Sequence, residues 1–375
     1  MKALILTLMF TASFVYSQSE FENYLLGPTQ DFYGYNYLNG PNAGRGNTGV
    51  AGENDLSGAL LNPAAFTVNK KYSFNLQYTY KTTNEVSYTY EMGPSYRYDI
   101  KHIPPTVQGG FGMKLMKNLN AGVVYSNSSS LKFVFKDYGF STSSDETSES
   151  VVVHSVNVPV VYDLGAIKLG VNPNYCYTRA VFKGVTTIIQ PDGTDDVTSH
   201  YSRFNVQVGL KIVPGNGTSF GLTFTPSYTA EVKSDDQLVP SGSTPVTTSP
   251  FKVSAGFQYT GAKQKFRLNA DYNFQQTSVL SGYKDKHDFN IGGEYSLNNS
   301  TTLRAGFFTI FDIRDFDDNR TAFPGKAGDF TQYFVTCGIS YKVNNFDISA
   351  SLLDSHVSMG LLKLTIINAG FTYGF

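Results

Sequence analysis

Charge is scarce in this chain. Asp, Glu, Lys and Arg make up 16% of its 375 residues and nearly cancel, leaving a net charge of -1. Phosphate binding needs a clustered positive excess, so the composition argues against a nucleic-acid partner. A water-soluble α/β enzyme would carry more charge, and more Ala, Leu and Glu. Long apolar runs are missing too. Beyond the N-terminus no stretch approaches the ~18 apolar residues of a membrane helix. Cysteine is reduced to Cys176 and Cys337, in segments far apart along the chain. A disulfide would need their Cα atoms within about 7 Å; the plainer reading is two small strand residues. No cysteine follows the N-terminal apolar run, which argues against a lipoprotein anchor.

What is abundant is aromatic and small. Tyr and Phe number 26 and 29, and Gly 35. Residues 1–17 read as a signal peptide: Lys2 supplies the positive end, 3–15 the apolar run, and Val15-Tyr16-Ser17 the cleavage site. Past residue 71 the chain alternates. In Phe266-Arg267-Leu268-Asn269-Ala270-Asp271-Tyr272-Asn273-Phe274 the even positions are apolar and the odd ones polar. Strand side chains point alternately to opposite faces, so one face suits lipid and the other a polar interior. A helical period near 3.6 would mix the two sets.

Fourteen such segments are predicted: 72–82, 106–115, 121–135, 151–162, 166–182, 201–213, 219–232, 251–260, 265–275, 287–296, 301–311, 331–342, 346–354 and 362–375. Their connections alternate short and long. The short ones, such as Pro214-Gly215-Asn216-Gly217-Thr218 and Val343-Asn344-Asn345, are hairpin turns rich in residues that accept positive φ. The long ones are polar: 83–105, 136–150, 183–200, 233–250, 276–286 and 312–330, with a shorter last loop at 355–361. This describes an all-β, 14-stranded antiparallel transmembrane barrel in the outer membrane of a Gram-negative-type bacterium. Short turns and both chain ends would be periplasmic, and long loops extracellular. Alternating Phe371, Tyr373 and Phe375 close the last strand. A terminal Phe there resembles the signal read by the barrel-assembly machinery, an expected partner along with outer-membrane lipid.

Residues 18–71 lack the alternation and form a second region, an N-terminal plug (hatch) inside the lumen of the 72–375 barrel. They contain GRGNTGVA (44–51), then an Asp-x-Ser, then LLNPAAF (60–66). This series resembles the N-terminal region of the FadL/OmpP1/TodX family of outer-membrane long-chain fatty acid and hydrocarbon transporters. Matching residues are Gly44, Arg45, Gly46, Asn47, Gly49, Ala51, Asp55, Ser57, Asn62, Pro63 and Ala64. Ala65 departs from the family's frequent Gly, and the aromatic segment 21–37 has no place in the pattern. The same glycines also fit a dinucleotide fingerprint, but no βαβ unit surrounds them.

The resemblance implies passive uptake of long-chain fatty acids or similar hydrophobic molecules, with lateral exit through a kink in the third strand. Asn127, Ser128, Ser129 and Ser130 interrupt the alternation of the third segment and are the candidate kink. The other reading is a strand that merely continues above the membrane. Related barrels in secretion systems carry similar N-termini, so a docking or interaction protein for secretion or envelope machinery is the alternative function. Strand phase points Lys114, Lys168, Lys211, Lys252, Arg267, Asp271, Glu294, Arg304, Lys342 and Asp347 inward. They serve either as a structural charge network with the plug or, for Lys252, Arg267 and Arg304, as contacts to an anionic head group. Nearer the long loops the lumen turns apolar, at Phe308, Ile310, Leu353, Leu362, Leu364 and Ile366, which suits a hydrophobic ligand. Loops 183–200 and 233–250 would form the outer capture site by resemblance, although both are polar. His102, His154, His200, His287 and His356 match no metal spacing, and Asp312, Asp315, Asp317 and Asp318 read as a solvated loop rather than a calcium site. No cofactor, no metal and no catalytic residue is expected.

Overall fold

A computed structural model describes residues 40–52, 55–83, 86–89, 95–102, 106–137, 146–186, 194–234, 246–261, 264–280, 283–313, 315, 331–358 and 363–375. Residues 1–17 and 21–37, Leu362, Asp317 and Asp318 lie outside them. Fourteen antiparallel strands close into a transmembrane barrel. They are β1 (Tyr72–Thr83), β2 (Thr106–Met116), β3 (Leu119–Asp137), β4 in two pieces (Glu146–Asn157 and Val160–Asp163) and β5 (Ile167–Thr186). Next come β6 (Thr194–Gly215), β7 (Thr218–Thr225), β8 (Lys252–Thr260), β9 (Phe266–Gln275) and β10 (Lys286–Ser296). Last are β11 (Thr301–Ile310), β12 (Gln332–Val343), β13 (Phe346–Asp354) and β14 (Leu364–Gly374).

Each strand pairs with its chain neighbour, and β14 pairs with β1 from Ser73↔Gly374 to Thr83↔Leu364. Phe375 finishes this seam by exchanging backbone hydrogen bonds with Tyr72 at 2.9 and 3.0 Å. Closure leaves no edge strand, which the interior of a bilayer requires. The short turns obey their chemistry. Gly215 pairs with Thr218 across Asn216-Gly217, with φ of 56° and 76°, a two-residue hairpin of the kind that needs positive φ at both central positions.

One segment read as continuous is broken at a proline. β4 keeps its register to both neighbours across Val158-Pro159, whereas the 219–232 segment ends as a barrel strand at Thr225, just before Pro226. Proline has no N–H for the ladder, and there the chain leaves it. Beyond Pro226, Tyr228–Glu231 pairs with Val246–Ser249 in a separate two-stranded sheet. Much of the 183–200 loop is also strand. β5 and β6 pair up to Thr186↔Thr194, carried by Val and Thr residues. Strands β3, β5 and β6 reach 19, 20 and 22 residues, so the wall is tallest there.

The two faces separate as the alternation predicts. Phe307, Leu352 and Ile367 are 36%, 43% and 48% exposed on the outside, whereas Phe308, Leu353 and Ile366 beside them are 2%, 0% and 0% exposed. Cys176 is buried on the lumen side, Cys337 is exposed on the outer face, and both are free.

Candidate functional site

The described plug residues fill the end of the lumen nearest the short turns. The chain passes through a short helix, Gly40–Gly44, then crosses the barrel and turns through 3-10 segments at Ser57–Leu60 and Pro63–Ala65. A plug backbone can lie against a strand backbone only where the strand has no side chain. The inner wall supplies such places. A Cβ at Gly292 would run into the Arg45 carbonyl, at Gly306 into Gly46, at Gly221 into Val50, and at Gly170 into Ala64. Several of these glycines face one another across strands: Gly170↔Gly209, Gly221↔Gly256 and Gly292↔Gly306. Sequence reasoning counted these glycines only as composition; their inward parity was the available signal.

Most polar motif residues of the plug bond the wall or one another; Asn47 Oδ1 is buried without a hydrogen-bond partner among the described residues. Arg45 is buried and donates to Glu294 of β10 at 3.1 Å, to Asn42 Oδ1 and to the Thr48 carbonyl. Burial pulls its guanidinium below the ordinary arginine value, and the Glu294 carboxylate opposes that pull. Glu294 also accepts from Arg304 at 2.8 Å and from Arg267 at 3.4 Å, so one carboxylate faces three guanidinium groups. Gly49 and Val50 donate their amides to a single Asp271 oxygen at 2.6 and 3.0 Å. Thr336 of β12 donates to the Gly44 carbonyl and accepts from the Gly46 amide. Asn290 reaches the carbonyls of Gly46 and Asn47. Asp55 receives its own Ser57 and, across the lumen, Asn75 and Thr372. Asn62 caps Pro63–Ala65 by accepting from Ala64, and donates to the carbonyls of Val50 and Leu210. Leu56, Leu60 and Phe66 pack with Val124 of β3 and Val161 of β4.

Above the plug the lumen is two-sided. From β11 to β14 the inward positions form an apolar wall of Phe308, Ile310, Phe334, Leu353, Leu364 and Ile366, all buried. The rings of Phe308 and Phe334 stack at 4.6 Å and 4°. Phe334 is the next inward position above Thr336, so this wall rises directly from the plug. The rest of the wall, running on from β14 into β1, β2, β3 and β5, is polar, with Gln77, Gln108, Ser126 and Asn172. Two residues of this site were missed in the sequence: Phe334, whose phase matches Phe308, and Lys81. Lys81 is buried beside the apolar wall, opposite Ile366. Lys252 has the inward parity of Ser254 and lies at the long-loop end of β8. Arg304 and Arg267 are lower down, in the Glu294 cluster, and Arg267 is the more open at 38% side-chain exposure.

In β3, the described pairing with β2 reaches Gln108↔Ser126, and pairing with Ser95–His102 is described from His102↔Lys132 in the same register. On the other side the register to β4 shifts between Ser129 and Lys132. The Asn127 Oδ1 atom is buried without a hydrogen-bond partner among the described residues. Among those residues no His, Cys, Asp and Glu cluster could hold a metal. His154 and His287 instead bond the outer-face hydroxyls of Tyr125 and Tyr272, and His356 pairs with Asp354.

No protein-family model matches the sequence, and no curated protein matches it. Solved structures do share its fold. The toluene transporter TodX of Pseudomonas putida superposes with a TM-score of 0.62 at 14% identity, covering 88% of this chain and 96% of that one. The toluene transporter TbuX of Ralstonia pickettii gives 0.63 at 16%, covering 94% and 98%. A FadL homologue of Pseudomonas aeruginosa gives 0.60 at 13%, covering 90% and 98%. At these identities the likeness is one of fold.

Proposed function

We propose that this barrel is an outer-membrane channel for passive uptake of small hydrophobic molecules, long-chain fatty acids or hydrocarbons among them. The observation that carries the reading is the apolar wall from Phe308 to Ile366, standing on a plug held by polar contacts. An interior built for sugars or ions would be polar at this level all round, as the wall from β1 to β5 is. Long loops face outward and both chain ends lie in the periplasm, where Phe375 presents the last strand to the barrel-assembly machinery. Ligand enters from the loops and lies along β11 to β14. An anionic head group would be met by Lys81 or Lys252 above the plug, and by Arg267 or Arg304 once the plug has shifted. The register shift to β4 between Ser129 and Lys132 supports a sideways exit into the membrane near Asn127–Ser130. The other solved barrels of this fold named above include two toluene transporters, which supports a hydrophobic cargo.

The dense bonding of the plug favours one rival, a closed barrel that docks envelope or secretion proteins. Mass spectrometry of small molecules extracted with the purified barrel separates the two, with Asn62→Ala/Pro63→Ala alongside. Specific fatty acids or hydrocarbons held by the wild type and altered in the variant support uptake. An empty barrel with a stoichiometric protein partner sinks it.

A further inference from the structure

The outer wall carries a site of its own. On β5 the outward positions run Ile167, Leu169, Val171, Pro173, Tyr175, Tyr177 and then Arg179. A tilted transmembrane strand needs about 9–11 residues, so a span starting at Ile167 ends near Tyr177. Arg179 follows immediately. β6 repeats the order from Ile212 through Val208 and Phe204 to His200. Register places Arg179 directly opposite His200, and His200 directly opposite Lys233 of the short strand Lys233–Ser234. Directly opposite residues share a face, so three basic side chains stand in a row just past the apolar span on the long-loop side.

An aromatic shelf leads up to the row and ends in its His200. Tyr125, His154, Tyr177 and His200 follow one another from β3 to β6 with ring centroids 6.2, 6.5 and 6.1 Å apart, and the Tyr125 hydroxyl meets His154 Nδ1 at 2.8 Å. Like charges directly across strands oppose folding. Among the described residues no acidic group pairs with Arg179 or Lys233, although the lumen takes other cations, Lys211 and Arg304 among them, inward. A row of cations left on the outer face at this height calls for an external anion.

We propose that Arg179, His200 and Lys233 bind the phosphate-bearing head group of an outer-leaflet glycolipid, with its acyl chains against Val171, Phe204 and Val208. The guanidinium and ammonium groups give charge-assisted hydrogen bonds to phosphate oxygens, and the imidazole adds a donor. The aromatic shelf meets the boundary between sugar and acyl chain. The site rests on the outer-membrane placement proposed above and not on the cargo, since the row lies outside the barrel.

The test is native mass spectrometry of the full barrel titrated with bis-phosphorylated lipid A, and with the same lipid stripped of its phosphates. The wild type is expected to hold one phosphorylated lipid about tenfold or more tighter than the stripped one. Arg179→Gln/Lys233→Gln should erase that difference, and Arg179→Lys/Lys233→Arg should keep it. Heat-modifiable migration checks that each variant is folded; if the Gln pair fails to fold, the wild-type comparison of the two lipids decides. Equal retention of both lipids overturns the proposal. So does displacement of the lipid by inorganic phosphate at matched concentration, which would make this a site for free anions. Loss of fatty-acid binding with lipid A retention intact would count against the uptake reading alone.

Discussion

Replacing Glu294 with Gln tests what holds the plug. The carboxylate accepts from Arg45 at 3.1 Å, Arg304 at 2.8 Å and Arg267 at 3.4 Å, and it is itself buried. Removing one partner of a buried ion pair costs about 3–5 kcal/mol, because the other charge stays buried without compensation. Here three cations would be left around a neutral amide. Arg267 is partly open to water, which screens its share, so the lower end of the range applies. The barrel ladder does not involve this carboxylate. The loss should therefore appear as detachment of the plug, with the barrel intact. About 3 kcal/mol corresponds to a rise of roughly a hundredfold in the detached population. Hydrogen exchange reads this directly at the Gly46, Gly49 and Val50 amides, which bond Thr336 and Asp271. Those amides should lose protection while amides of β5 and β6 keep theirs. Combining Arg45→Gln with Glu294→Gln should cost less than the sum of the two, since the pair then vanishes together. Unchanged protection at Gly49 and Val50, or additive costs in the double variant, would refute the reasoning.

Other perturbations address the wall, the ligand face and the seam. Gly292→Val puts a side chain into the Arg45 carbonyl and should expel the plug from a folded barrel, seen as a rise in single-channel conductance in planar bilayers. Phe334→Ala removes a fully buried ring stacked on Phe308; such truncations cost about 3–5 kcal/mol, and saturable binding of a fatty acid should weaken by about tenfold or more in calorimetry. Deleting Phe375 removes its two backbone hydrogen bonds to Tyr72 and its ring contacts with Tyr72, Phe111 and Tyr373. Folded barrel in the outer membrane should fall several-fold on heat-modifiability gels.

How much of this was legible in the sequence depends on the range of the interaction involved. A two-residue period is local, and it placed all fourteen strands and put Phe308, Leu353 and Ile366 inside. Where local rules compete, the reading slipped. Pro159 and Pro226 both sit inside alternating stretches; the ladder holds its register past Pro159, and at Pro226 the missing N–H outweighed the pattern. The polar composition of 183–200 suggested a loop, yet β5 and β6 continue into it, pairing Val185 with Asp195 and Thr186 with Thr194. Contacts between the plug and the wall were beyond reach. Arg45 and Glu294 are 249 residues apart, and nothing in either neighbourhood announces the other. One trace of the plug was present all along in the barrel sequence. Inward glycines on β5, β6, β7, β8, β10 and β11 make no sense for an open, polar lumen, where Ser or Asn would serve as well. They make sense if a second backbone must touch the wall at that level. The plug is therefore written twice, once in its own motif and once in the side chains its host strands omit, and the second record is the one that fixes how closely it can dock.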